Sequence, residues 1–385
     1  MEDKIYLYSQ KNGWFNEEGI FLFEKPVFKI RYSKNTLSIS NKKLKTDNPI
    51  PIIEKFIKKK KLYGVGFISY DFKENLFNLK KFNRSDLEIP LIYLNLYKSY
   101  KKVKNLECKY ISHINEVLFE EKKEDFIKKV KKIKEYISSG DIYQINLSHR
   151  IKIKGIFDLN CIFINLIKLQ PSPFLMMIKD TDFGLISASM ELFLKREGFK
   201  IFSEPIKGTI KRGNSEEEDK RLEKTLFESE KERAENLMIT DLMRNDIGRI
   251  SKAGTVKVLE LFKITKYKTL FQMSSLVKGD LKNKTGLKEI IYSTFPPGSI
   301  TGAPKRRAME IIDEIEKEKR TVYCGANILI KPDLDFISSV AIRQSIFQKR
   351  QCYIYVGSGI VADSIPEKEY EETILKSKAN IESLK

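Results

Sequence analysis

The stretch FGLISASMELFLKREGFKIFSEPIKGTIK, Phe183 to Lys211, decides the fold. It reads as several strands in succession, joined by connections too short for a crossover helix, so an antiparallel meander is expected. The run ends at Pro205-Ile206-Lys207-Gly208-Thr209, expected as a loop that holds a lysine between a proline and a glycine-threonine step.

Upstream, Phe126, Val130, Ile133 and Ile137 recur at helical spacing in a helix expected from Glu120, with Gly140 as its stop. Asp141 to Ser148 then alternates as a strand does. Residues 1–116 carry short aromatic and β-branched runs (Ile20 to Phe23, Tyr63 to Tyr70, Leu91 to Tyr97) around one or two short helices. The Gly64-Val65-Gly66 step has no third glycine and no following helix, so it reads as a buried strand with close backbone approach and not as a phosphate loop. Two parts are expected: a β-rich region, 1–116, packed on a larger one, 117–385.

A chain of 385 residues with 41% hydrophobic and 32% charged residues has the composition of a folded protein. Its net charge of +19 is spread over the whole length, in runs such as Lys58 to Lys61 that suit solvated faces, and no nucleic-acid surface is expected. Cys108, Cys161, Cys324 and Cys352 are far apart in sequence and form no C-x-x-C pair, which supports neither a zinc site nor a disulfide framework and fits a reducing cytoplasm. Histidine chemistry is disfavoured by the presence of only His113 and His149. The start at Met1-Glu2-Asp3 lacks an export signal, and no run reaches the ~20 apolar residues of a membrane span.

Two acidic helices carry the first chemical signal. Ser215-Glu216-Glu217-Glu218 reads as a capping box, and Glu232 and Glu235 follow on the same helical pattern, three residues apart and on one face. Ser364-Ile365-Pro366-Glu367 reads as a second capping box, followed by Glu369, Glu372 and Lys376 on one side. Alone, such residues are usually solvated, and Lys376 suits a plain i,i+4 pair with Glu372. Meeting in a cleft, the carboxylates suit Mg²⁺ with coordination positions left open.

Between them lie Met238-Ile239-Thr240-Asp241-Leu242-Met243-Arg244-Asn245-Asp246, then Phe295-Pro296-Pro297-Gly298-Ser299-Ile300-Thr301-Gly302-Ala303-Pro304-Lys305, Ser339 to Arg343, and Gly357-Ser358-Gly359-Ile360-Val361. In this order, with the Lys207 segment, these blocks resemble the chorismate-utilising enzymes over roughly Glu120 to Lys385. The resemblance implies an α+β fold, with two antiparallel-rich sheets stacked face to face and helices outside as four layers. It implies Glu235 and Glu372 as direct Mg²⁺ ligands, with Glu232 and Glu369 acting through water. Arg343 and the N–H groups of Gly357, Ser358 and Gly359 would take a substrate carboxylate, with Tyr323, Thr209, Gly208, Thr301 and Lys376 as further contacts.

Family members differ in what attacks chorismate. Isochorismate-type enzymes use a lysine base at the position of Gln144, and glutamine cannot serve as that base. Anthranilate synthases carry a small residue in place of Lys207, whereas aminodeoxychorismate synthases carry the lysine. The resemblance therefore implies that Lys207 adds at C2 while Glu191 protonates the departing C4 hydroxyl, and that ammonia then adds at C4 and expels the amine. A neutral Lys207 requires a pKa below the usual ~10.4. No glutaminase segment is recognisable and no fused lyase is expected before Lys385, so ammonia is expected from a separate glutamine amidotransferase subunit in a heterodimer. The rival activity is that of anthranilate synthase. Two departures from the family pattern are Gln272, where many relatives have histidine, and Met190, where a proline is common.

Overall fold

The computed structural model describes residues 3–11, 13–77, 79, 85–110, 112–267 and 270–385; the opening Met1-Glu2 lies outside them. Among the described residues the strands form one sheet of 10 and one of 12. All neighbouring strands pair antiparallel, but the run expected as one meander over Phe183 to Lys211 is divided: Gly184–Ser189 lies in the first sheet, Leu192–Glu197 and Lys200–Glu204 form a hairpin in the second, and Leu270–Asp280 comes between Lys200–Glu204 and Ile206–Lys211. One apolar core joins Ile5 and Leu7 of the first sheet to Val65, Phe67 and Leu329 of the second. The fold is α+β, with the sheets sharing this core.

Alternation sorts the strands' two faces. In Lys4–Ser9, Ile5 and Leu7 enter the shared core, while Tyr6 and Tyr8 join a second cluster with Ile162, Phe163 and Leu166 of the helix Leu159–Leu169. Helices cover the sheets: Lys123–Ser138, Leu159–Leu169 and Pro366–Ser383 pack on the first, and Glu230–Ile250 packs on the second. Residues 3–116 supply strands to both sheets. Lys4–Ser9 pairs with Phe174–Lys179, and Tyr63–Ile68 pairs with Ala326–Ile330. The close approach expected at the Gly64 segment is real, because a Cβ on Gly66 would lie 1.9 Å from the Tyr93 carbonyl oxygen.

Three local expectations are corrected. The helix after Glu120 begins at Lys123, since Glu120 turns away to pair with Arg150. The pattern from Ser215 to Glu235 is two helices: Ser229 ends Glu216–Glu228 and its hydroxyl caps Glu230–Ile250 by accepting from Glu232 N. Ser364 caps no helix. Ile365 is the N-cap of Pro366–Ser383, and the Ser364 hydroxyl donates to Glu369 Oε1 at 2.7 Å.

Candidate active site

The site lies over two paired strands of the first sheet, Gln144–Ile156 and Gln351–Ile360. Odd-numbered Ile145 and Leu147 join the hydrophobic core, and even-numbered Gln144, Asn146 and Ser148 form a polar row that is nonetheless buried. Opposite this row stand Gly359, paired with Asn146, and Gly357, paired with Ser148. Without side chains, the two glycines leave the sheet bare, and other groups close over it. A Cβ on Gly359 would meet Gln144 Nε2 at 2.8 Å and Lys207 Nζ at 3.2 Å. A Cβ on Gly357 would meet Asn146 Nδ2 at 2.9 Å and the Tyr323 hydroxyl at 3.0 Å. The neighbouring strand Gln344–Gln348 pairs only as far as Tyr355, so past that point it leaves one edge of the glycine strand uncovered.

Lys207 sits on the strand Ile206–Lys211 and not in the expected loop. The register breaks between Ile206 and Thr209, and Gly208 at φ +88° makes that break in a conformation few side-chain-bearing residues adopt. The bulge turns the amine inward, where burial lowers its pKa; Glu235, at 3.9 Å, opposes that shift and Lys376 reinforces it. Glu191 is buried and raised to about 7 by that burial, against a hydrogen bond from Ser299, the charge of Lys207 and the N–H of Ile206. The Ser299 hydroxyl donates to Glu191 Oε1 at 2.5 Å. Burial thus favours the neutral form of both groups, an acid that holds its proton near pH 7 and an amine that gives its proton up early.

The other candidates divide. Arg343 has φ +52°, donates to the Lys376 carbonyl at 2.6 Å, and forms no ion pair among the described residues. Burial lowers its pKa, and Tyr323 and Glu372 oppose that shift. A desolvated guanidinium without a carboxylate partner suits an anionic ligand. Lys376 pairs with Glu372 at 2.6 Å and donates to the Gly357 carbonyl at 3.1 Å, which ties the C-terminal helix to the glycine strand. Ser358 is buried on that strand. Thr301 spends its hydroxyl on the Pro297 carbonyl at 2.8 Å, and Thr209 is exposed opposite Gln272.

The four glutamates form a rim from two helices. Burial raises Glu232, with Glu235 and Glu372 adding to the rise, and burial also raises Glu369, with the Ser364 hydroxyl opposing and the Glu372 charge adding. Burial pushes Glu372 upward too, but Lys376 outweighs it and holds the group below its ordinary value. Among the described residues no group of three or more His, Cys, Asp or Glu side chains converges as a preformed metal cluster. Glu372 is held by Lys376 and Glu235 faces Lys207, so a divalent ion would take carboxylates now paired with amines. The donor set fits such an ion: all-oxygen, from two helices, and crowded enough that its own charges raise Glu232.

The chorismate binding enzyme profile matches residues 3–382. The chain belongs to the chorismate binding enzyme family. It is 42% identical over 262 residues to anthranilate synthase component 1 of Aquifex aeolicus, covering 68% of this chain and 53% of that protein. It is 34% identical over 352 residues to aminodeoxychorismate synthase component 1 of Bacillus subtilis, covering 82% of this chain and 75% of that one. It therefore spans about half the length of the Aquifex relative. Anthranilate synthase component I from Streptococcus pneumoniae superposes with a TM-score of 0.83 at 25% identity, over 94% of this chain and 91% of that one.

Two blocks that marked the family resemblance are tied to each other. Asp246 of the helix Glu230–Ile250 accepts from Lys305 at 2.5 Å, and Lys305 also donates to the Thr294 carbonyl, which locks the helix to the Pro296 turn. The two departures meet each other, with Gln272 Nε2 2.6 Å from Met190 Sδ, next in sequence to Glu191. Sequence reasoning missed Ser299 and Asn146. Asn146 had a usable signal, since the row Gln144, Asn146, Ser148 and Arg150 is polar on a strand too hydrophobic on its other face to lie at the surface.

Proposed function

We propose that this protein exchanges the C4 hydroxyl of chorismate for an amino group, the activity named for its aminodeoxychorismate synthase relative, and that it takes ammonia from a separate glutaminase subunit. The observation that carries this reading is the largely covered Lys207 amine, with its pKa lowered by burial, poised over Gly359 near Glu191.

Arg343 and the uncovered edge of the glycine strand would receive one substrate carboxylate, and Tyr323 would bound the ring. Glu235 and Glu372 would hold Mg²⁺ directly, with Glu232 and Glu369 behind them; the ion would neutralise the second carboxylate and the crowded rim. The neutral Lys207 amine bonds to C2 as both ring double bonds shift and the C4–O bond breaks, and Glu191 delivers the proton that lets hydroxide leave as water. Ammonia then bonds to C4, both double bonds return and the C2–N bond breaks, which restores Lys207. Gln144, with its amide at Gly359 and no basic nitrogen, keeps the floor polar without activating water. The pyruvyl ether is untouched, so no pyruvate is released.

The chain incubated with chorismate, Mg²⁺ and ammonium, with products resolved by mass spectrometry, is expected to yield aminodeoxychorismate. Anthranilate with stoichiometric pyruvate would overturn the assignment in favour of the activity named for the Aquifex relative, whose higher identity extends over a smaller share of this chain.

A further inference from the structure

Cys108 and Cys161, 53 positions apart in sequence, are brought together on the outer side of the first sheet, where the connection before the strand His113–Phe119 crosses the start of the helix Leu159–Leu169. Hydrogen bonds on both sides of Cys108 pin the crossing. Asn160 Nδ2 donates to the Glu107 carbonyl at 2.8 Å, Lys109 N donates to Asp158 Oδ2 at 2.8 Å, and the Cys161 thiol donates to the Tyr110 carbonyl at 3.3 Å. The Tyr110 hydroxyl donates to the Phe157 carbonyl at 3.0 Å and closes the strap. With Glu107, Lys109 and Tyr110 all fastened to residues 157–161, Cys108 is held beside Cys161, near enough to add to the rise of its pKa, and both thiols are free.

The geometry points to Cys108 and Cys161 as a reversible disulfide site that, when oxidised by a low-molecular-weight disulfide of the glutathione class, cross-links the segment 104–110 to the helix Leu159–Leu169. The order of events follows from exposure: Cys108 is open to solvent and Cys161 is half-covered. Burial pushes the Cys161 thiol up to about 12, with Cys108 and the Asp158 carboxylate adding to the rise, so Cys161 ionises late. The Cys108 thiolate attacks the small disulfide, forming a mixed disulfide and releasing one thiol. Cys161 then loses its proton and attacks the Cys108 sulfur, forming the internal disulfide and releasing the second thiol; two electrons pass from the protein to the oxidant. The helix concerned also supports the C-terminal helix, through Asn165 Nδ2 donating to the Ser383 and Lys385 carbonyls at 3.1 and 3.2 Å. The cross-link therefore involves a helix that packs on the one bearing Glu369 and Glu372. Cys324 and Cys352 are buried and serve as internal controls.

The test treats the full chain with oxidised glutathione, blocks remaining thiols by alkylation and maps peptides by mass spectrometry, with and without later reduction. A peptide pair joined through Cys108 and Cys161 is expected, reversible by dithiothreitol, with Cys324 and Cys352 untouched. In Cys161→Ser the reaction is expected to stop at a glutathione adduct on Cys108. A wild-type chain that also stops at that adduct, or in which both thiols are alkylated independently, overturns the proposal. Neither result depends on the chorismate reading, because no turnover is measured.

Discussion

The floor and the rim of the site use burial in different ways. On the floor, Lys207 and Glu191 are held by strands, a bulge and Ser299, and burial drives each toward its neutral form. On the rim, Glu232, Glu235, Glu369 and Glu372 project from two helices, where Glu232 and Glu372 oppose each other and amines stand between them. On the proposed reading the floor carries the chemistry. The rim carries a charge excess that a cation would relieve. Catalytic geometry thereby falls, on that reading, to residues fixed in the sheets and ion binding to side chains that can re-pair.

If this division is right, damage to the floor costs rate and damage to the rim costs metal affinity. Lys207→Ala is expected to reduce aminodeoxychorismate formation to background while chorismate binding, measured by calorimetry, persists; normal turnover would remove the nucleophile role. Glu191→Gln is expected to lower kcat by about 10²–10⁴-fold, the usual worth of a positioned proton donor. In the parent enzyme kcat/KM is expected to fall as pH rises through about 7, because Glu191 then loses the proton it must deliver.

The same substitution tests the sign of burial on stability. A carboxyl raised from 4.5 to about 7 binds its proton more tightly in the folded state, so stability is fully present below about 4.5 and is lost as pH rises through 7. Glu191→Gln is therefore expected to raise stability above pH 7 by an amount on the order of 3 kcal/mol, with little effect at pH 4. Unchanged melting temperatures at both pH values would show that burial does not strain this acid.

Gly359→Ala places a methyl 2.8 Å from Gln144 Nε2 and 3.2 Å from Lys207 Nζ. Displacing the amine by that margin is expected to cost about 10²-fold in kcat with an unaltered fold. On the rim, Glu369→Gln is expected to raise the Mg²⁺ concentration for half-maximal activity by about 10- to 100-fold, with kcat at saturating Mg²⁺ little changed. A kcat loss without a Mg²⁺ shift would erase the distinction between floor and rim.

Much of this arrangement was legible in the chain. Alternation and short connections marked the antiparallel strands, helical spacing marked Phe126, Val130 and Ile133 as a buried face, and Gly66 proved to be a close approach. The helix boundaries were less legible: Ser229 interrupts a pattern that periodicity reads as continuous, and Ser364 turns from a cap to a partner of Glu369. Capping preferences are local and weak, so a tertiary hydrogen bond readily overrides them.

The sequence by itself determined the candidates for the proposed chemistry: a lysine in Pro-Ile-Lys-Gly-Thr, an acid at 191, paired glutamates and, from the family resemblance, a glutamine at 144. Only the tertiary structure decided what those residues are. Residues distant in sequence, Gln144, Lys207 and Gly359, meet over one strand pair, Ser299 reaches Glu191, and Cys108 comes to lie beside Cys161. Spacing along a chain states which face a side chain occupies, whereas protonation state depends on solvent and charge in three dimensions. Those are created only when the sheets close on each other.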